Sequence, residues 1–305
     1  MKVTEVKTFL VHAVRQNWLF VKIETDTGLV GWGEASVEAQ EHAVAACIDT
    51  LAKRSVIGED PLNISKIWRQ MYHQGFWRGG FIHMSAISGI DQALWDIAGK
   101  HYGVPVYMLL GGNVRNKLKC YTHAQTGEEA RHLCHDLGFS GVKCCYRYGK
   151  LEAALQDIRE AIGPDKEIYV DQHGQIPAAL SADQMKAAAK YGVTFFEEPV
   201  GPENIEEYKL IRQNSFGLRI AGGERMYSRF EMRPLIENQL VDYIQPDVCH
   251  CGGISEIMRI ASYAEAYHIM FAPHNPNGPV ATAASMQVAA AAHNFALLEF
   301  WSGVL

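Results

Sequence analysis

Long apolar runs, an excess of basic residues and paired cysteine spacings are all missing from this chain. The most apolar late segment, Val280 to Leu298, is mostly alanine and is interrupted by Gln287, His293 and Asn294. It reads as a packed helix running into a strand, not as a membrane span. The N-terminus alternates polar and apolar residues and has no continuous apolar core of the kind a secretion signal carries. A cytoplasmic location is the default that follows. A net charge of −6 removes the electrostatic case for a nucleic-acid partner. Seven cysteines are an odd number in a large chain, and they suit a reducing compartment better than a disulfide framework. Cys144-Cys145 is a vicinal pair and Cys249-His250-Cys251 a tight cluster. The cluster lacks the two-pair spacing of structural zinc sites, so packing or loop roles are expected.

What the chain does have is length and a change of texture. Its 305 residues, 48% apolar and 20% charged, allow one large barrel, or a barrel with a small domain. Val3 to Val11, Trp18 to Thr25 and Leu29 to Glu34 read as an antiparallel meander, with Asp26-Thr27-Gly28 as a turn. Helical patterns follow at Glu38 to Lys53, Ile64 to Tyr72 and Ser85 to His101. In the last of these Ile87, Ile90, Leu94 and Ile97 form one apolar stripe, which Gly103 and Pro105 end. Residues 1–115 are therefore expected to form a small α+β capping domain.

Beyond Gly111-Gly112, short apolar runs alternate with amphipathic helices. The runs centre near Tyr121, Val142, Tyr169, Phe195, Ile220, Ile244, Phe271 and Leu297. Eight strands separated by helices imply parallel pairing, and such units close into an α/β barrel of the TIM type, (β/α)7-8, over residues 116–305. Lys143, Asp171, Glu197, Glu224, Asp247, His274 and Glu299 follow these runs at steps of 23 to 28 residues, one strand-helix-strand advance each. Catalytic groups of such barrels sit at the strand C-termini. Asp171, Glu197 and Glu224 would end three neighbouring strands. Three carboxylates facing one another repel unless a cation lies between them, and all-oxygen ligands favour a hard ion, Mg²⁺ first and Mn²⁺ second. Alternation along a strand allows only one of Glu197 and Glu198 to face inward and leaves the choice open; it puts His173 on the side of Asp171.

Six segments carry a family resemblance: MYHQGFWRGGFIHMSAISGIDQALWDIAGK (Met71 to Lys100), YVDQHG, FFEEPV, GGERMYSR, DYIQPDVCHCGG and APHNPNGP. Together they resemble the enolase superfamily in its mandelate racemase-like branch, and most of all the acid-sugar dehydratases of the D-galactonate dehydratase type. The resemblance implies Mg²⁺ on Asp171, Glu197 and Glu224, and so Glu197 over Glu198. It implies His274 as the base that removes the proton beside the substrate carboxylate, with Asp247 as its partner. It also implies His173 as the acid for the departing hydroxyl, Glu299 as a hydrogen-bonding acid, and Lys143 as an electrostatic aid. Trp18, Trp77 and Arg78 become candidate substrate contacts, with packing between domains as the alternative. A sugar-acid substrate and a homo-oligomer are implied too.

Three features depart from the branch. Cys145 stands where racemases carry the second lysine of a Lys-x-Lys base motif, which favours dehydration over two-base racemisation. The stretch Tyr146 to Leu151 is short, and the chain ends at Leu305, so an eighth helix and closing tail are expected to be absent. The expected activity is a Mg²⁺-dependent hydro-lyase that converts an aldonate to a 2-keto-3-deoxy acid through an enolate. An epimerase or lactone cycloisomerase using the same enolate is one alternative, and a non-catalytic binding relative another.

Overall fold

The computed structural model describes residues 1–13, 16–73, 75–145 and 150–302. Strands β1 (Val3–Ala13), β2 (Gln16–Thr25) and β3 (Val30–Glu34) form the antiparallel meander, in the order β1-β2-β3. Leu19, Val21 and Ile23 alternate along β2 and are fully buried, so one face of the sheet is apolar. That face meets the helices α1 (Glu41–Leu51, continued by a π-helical turn, Ala52–Val56), α2 (Ile64–His73) and α3 (Phe81–Tyr102). β3 can lie flat on α3 because it has glycines there: a Cβ on Gly31 would sit 2.0 Å from the Ala93 carbonyl oxygen, and one on Gly33 2.0 Å from that of Gly89. A short helix α4 (Val106–Leu109) leads to the barrel.

Eight parallel strands follow: β4 (Cys120–His123), β5 (Gly141–Cys145), β6 (Glu167–Asp171), β7 (Val193–Glu197), β8 (Arg219–Gly222), β9 (Tyr243–Ile244), β10 (Met270–Phe271) and β11 (Leu298–Glu299). They pair in chain order, and β11 returns to lie beside β4. A parallel bridge between Phe271 and Phe295 joins the two ends of the ring. Among the described residues, seven helices cover it: α5 (Gly127–Arg131), α6 (Leu151–Ile162), α7 (Ala178–Ala189), α8 (Ile205–Gln213), α9 (Arg229–Glu237), α10 (Gly253–Glu265) and α11 (Pro279–Ala291). The expected strand centres hold, except that Leu297 lies one residue ahead of β11. The third capping helix starts at Phe81, earlier than the apolar stripe alone indicates. None of the helices among the described residues is long and apolar enough to cross a membrane.

The barrel floor explains why the reactive groups collect above it. Tyr121, Tyr169, Phe195, Ala221, Ala272 and Leu297 fill the interior. The Tyr121 and Tyr169 rings lie 4.7 Å apart, and those of Tyr169 and Phe195 4.5 Å. Two residues beyond Tyr121, Tyr169, Phe195, Ala272 and Leu297 come His123, Asp171, Glu197, His274 and Glu299. The strand period of two therefore points a plug residue and then a polar group into the same ring.

Helix α3 ties the two domains together through a face that an apolar count misses. Ser85, Ser88, Gln92 and Trp95 repeat at the spacing of the apolar stripe, on the opposite side, and all bond to the barrel. The Ser85 hydroxyl pairs with His250 Nδ1 at 2.9 Å, and Ser88 Oγ accepts from Gly252 N. Gln92 Nε2 donates to the Val248 carbonyl, and Trp95 Nε1 to Ser255 Oγ. Beside them the buried Asp91 accepts from Ser255 N at 2.9 Å and from Ser255 Oγ at 2.6 Å. Burial pushes this carboxyl up to about 7, against the pull of the Ser255 bonds. Its ordinary value is 3.8, so the folded state holds the proton more tightly; the stability this gives is full below that value and lost as pH rises toward 7. Asp91→Ala strands the buried Ser255 donors and is expected to destabilise the fold by about 1–3 kcal/mol. Urea unfolding reads this as a lower midpoint at unchanged slope. Asp91→Asn still accepts one N–H and should lose less.

Candidate metal and acid-base site

A cavity of 620 Å³ opens between the capping domain and the C-terminal ends of the barrel strands. Gln16, Ser36 and Phe81 line it from the cap, and His123, Lys143, Asp171, His173, Glu224, His274 and Glu299 from the barrel. The strand-end residues expected from the sequence are thus brought to one place, with Glu197 and Asp247 fully buried beside them.

Asp171 and Glu197 are the last residues of β6 and β7, and Glu224 lies two residues past β8. Oxygens of the three lie within 4.8 Å of one another. Lys143 Nζ stands among the acids, 3.0 Å from Glu197, 3.3 Å from Asp171 and 2.8 Å from Glu299. Burial pushes the Glu224 carboxyl up to about 8, against the pull of His274. Burial also drives Glu197 well above the usual range, opposed by Lys143 and reinforced by Asp171 and Glu224. Glu224 Oε2 is buried, accepts no well-aligned hydrogen bond, and has the His274 Nε2 as an ion-pair neighbour at 3.2 Å. Lys143 and the His274 ring only partly offset these acids: Glu197 still feels the charges of Asp171, Glu224 and Glu299. Three converging carboxylates of this kind fit a hard divalent cation.

The turns after β6 and β7 settle which side chains turn inward. Strand alternation stops at Asp171, and His173 adopts a left-handed backbone (φ 51°). Its own N–H donates to Asp171 Oδ1 at 2.9 Å, while ring Nε2 lies 3.1 Å from Asp171 Oδ2. The side expected for His173 is the one seen, but a turn produces it. Glu198, also left-handed (φ 37°), leaves the trio and takes Arg225, whose Nε and Nη2 reach it at 2.9 and 2.8 Å. The same Nη2 also donates to the His173 carbonyl at 2.9 Å, so Arg225 braces the turn.

On the far side of the mouth His274 pairs through Nδ1 with Asp247 Oδ2 at 2.7 Å. Its Nε2 points to Glu224 Oε2 at 3.2 Å and Glu299 Oε2 at 3.9 Å. Burial disfavours charge on the ring, yet Glu224, Glu299 and Asp247 outweigh it and raise its pKa well above the ordinary 6.5. Burial lowers that of His173 and prevails over the Asp171 charge. Strands β6 and β10, which carry the two histidines, are four places apart in a ring of eight. The two side chains therefore enter the cavity from opposite sides of the barrel.

Several residues were not anticipated. His123, at the end of β4, pairs with Glu299 Oε1; the strand-end rule applied to the Tyr121 strand would have found it. Asn277 Nδ2 donates to Asp247 Oδ2 at 2.8 Å and locks that carboxylate. Glu34 ends β3 and accepts from Gly278 N at 2.7 Å and Ala281 N at 2.9 Å, so a capping-domain acid holds the start of α11 and the loop after His274. Trp18, Trp77 and Arg78 do not line the cavity. Trp18 packs against Gly278, Trp77 is 84% exposed against Phe76, and Arg78 bonds weakly to the Gly75 carbonyl. Cys249 and Cys251 are buried in the barrel's apolar cluster and, among the described residues, belong to no ligand group. Tyr146 to Gly149, in the short stretch after β5, lie outside the described residues, as does Leu305.

Residues 3–111 match the mandelate racemase / muconate lactonizing enzyme N-terminal domain, and residues 125–305 the enolase C-terminal domain-like family. The chain is 41% identical to D-galactonate dehydratase of Pectobacterium atrosepticum, over all of this chain and 82% of that protein. It is 40% identical to that of Variovorax paradoxus over the same shares. Among solved structures, an enolase from Agrobacterium radiobacter with sodium and L-malate bound superposes with a TM-score of 0.92 at 35% identity, over 98% of this chain and 80% of that one. A member of the enolase superfamily from Salmonella Typhimurium gives 0.93 at 30% identity, over 100% and 88%.

Proposed function

The chain belongs to the mandelate racemase / muconate lactonizing enzyme family of the enolase superfamily, and from that premise we propose that it is a Mg²⁺-dependent hydro-lyase acting on a sugar acid. The observation that carries this reading is one cavity holding a carboxylate trio with a histidine on either side, one paired with Asp247 and the other beside Asp171. Relatives named D-galactonate dehydratase, alike over the whole chain, support the same reaction class.

Asp171, Glu197 and Glu224 would hold the cation. When bound, it would supply positive charge that stabilises the enolate dianion and would oppose the field of the trio, which favours the neutral form of His274. The remaining work falls to the chain. With Nδ1–H donated to Asp247, neutral His274 presents an Nε2 lone pair to the proton beside the substrate carboxylate. Asp247 fixes the ring and stabilises the imidazolium, and is itself fixed by Asn277 and the Cys249 N–H. Glu299, held well below the usual range despite its burial by Lys143, His274 and His123, stays charged and orients donors around the substrate. His173 donates the proton that lets hydroxide leave as water. A lowered pKa makes it the stronger acid while reducing the fraction protonated. The enol then tautomerises to a 2-keto-3-deoxy acid.

The cavity wall favours a substrate with one carboxylate. Lys143 is committed to Glu197, Asp171 and Glu299, and Arg225 to Glu198 and a carbonyl. Among the described lining residues, the acids Glu38 and Glu129 repel a second carboxylate, while Gln125 and Tyr227 suit hydroxyl groups. An aldonate such as D-galactonate fits this better than an aldarate. The test is a panel of aldonic and aldaric acids with Mg²⁺, read by product mass. Loss of one water from an aldonate is expected. No turnover on any member overturns the reading, and a product of unchanged mass replaces it with an isomerase.

A further inference from the structure

We propose that Cys145, Asp171 and His173 form a second cation site, suited to a soft divalent ion such as Zn²⁺, that shares Asp171 with the carboxylate trio. Cys145 ends β5 and stands in register with Asp171, the last residue of β6. Its sulfur, an Asp171 oxygen and a His173 ring nitrogen lie within 4.8 Å of one another, and ring Nε2 is already 3.1 Å from Asp171 Oδ2. All three side chains line the cavity, so an ion reaches them without unfolding. Neighbouring Cys144 has no such access, being fully buried in the apolar cluster between strands and helices.

The donor types separate the two sites. Three carboxylates favour a hard ion, whereas sulfur, nitrogen and one oxygen are the ligands of a three-residue zinc site with an open position. Coordination breaks the S–H bond, releases that proton to solvent and forms the sulfur–metal bond. Because Asp171 belongs to both sets, a soft ion withdraws it from the trio and occupies the His173 ring. Zn²⁺ therefore competes with Mg²⁺ and silences whatever chemistry the cavity performs.

The test needs no substrate, so its outcome is independent of the sugar-acid reading. Purified chain is titrated with Co²⁺ as the probe. Thiolate ligation gives an intense sulfur-to-metal charge-transfer absorption in the near ultraviolet, which oxygen ligation at the trio lacks. Wild-type protein is expected to show this absorption at one equivalent, and Cys145→Ser to lose it. Its absence from wild type, or its survival in Cys145→Ser, overturns the proposal. A second measurement uses the unaltered chain: zinc X-ray absorption at one equivalent should show a sulfur neighbour in the first shell of the ion. A shell of oxygen and nitrogen alone also overturns the proposal.

Discussion

Replacing His274 with asparagine is expected to abolish both solvent exchange of the proton beside the substrate carboxylate and formation of the 2-keto acid. The fall should be at least about 10²–10⁴-fold, the usual contribution of a positioned general base. Both steps need the same proton removed, and His274 Nε2 is the imidazole nitrogen that faces the trio from this side. The scaffold should survive. Asp247 keeps donors from Asn277 at 2.8 Å and Cys249 N at 2.6 Å, so the buried carboxylate is not left bare. An asparagine amide can also replace the Nδ1–H that the imidazole donates. Exchange in D₂O followed by proton NMR, with keto-acid formation measured in parallel, is the check. A variant that still exchanges its substrate proton near the wild-type rate would remove His274 from the role of base.

How much of this was visible beforehand differs between strands and turns. Strand positions were legible because the period of two is rigid: once Tyr169, Phe195 and Leu297 face inward, Asp171, Glu197 and Glu299 must follow them. The choice between Glu197 and Glu198 was not legible from alternation alone. The structure shows why: the strand ends at Glu197, and a left-handed residue then carries Glu198 away to Arg225. No periodic pattern announces such a turn. The polar face of α3 was hidden for a related reason. Ser85, Ser88 and Gln92 look like a solvated face in a helix taken alone, and only the barrel loop at 247–255 reveals that they are buried donors and acceptors. Trp77 and Arg78 lie in a part of the cap where sequence left two roles open. Aromatic and basic residues in a capping segment suggested substrate contacts, but the structure puts both outside the cavity lining. Glu34 was placed at a strand end and given no role, since its partners, the N–H groups of Gly278 and Ala281, are more than two hundred residues away in sequence.

Replacing His173 with asparagine should separate the two halves of the reaction. Proton exchange is expected to persist within a few-fold of wild type, while loss of water falls by about 10²–10⁴-fold. The separation follows from geometry: His173 and His274 come from strands on opposite sides of the ring, so removing one leaves the other's approach to the substrate untouched. Asparagine is the right replacement because position 173 has φ 51°, a backbone conformation that asparagine adopts readily and alanine does not. The N–H to Asp171 Oδ1 and the carbonyl held by Arg225 belong to the main chain and remain. What disappears is the ring, and with it the Nε2 contact to Asp171 Oδ2. That contact makes a second explanation available, in which His173 merely holds Asp171 in the trio. The two explanations part on one measurement. If His173 only positions a ligand, the variant should lose cation affinity, exchange and dehydration together. If it is the acid, exchange continues and the enolate, unable to expel hydroxide, takes a proton back from solvent.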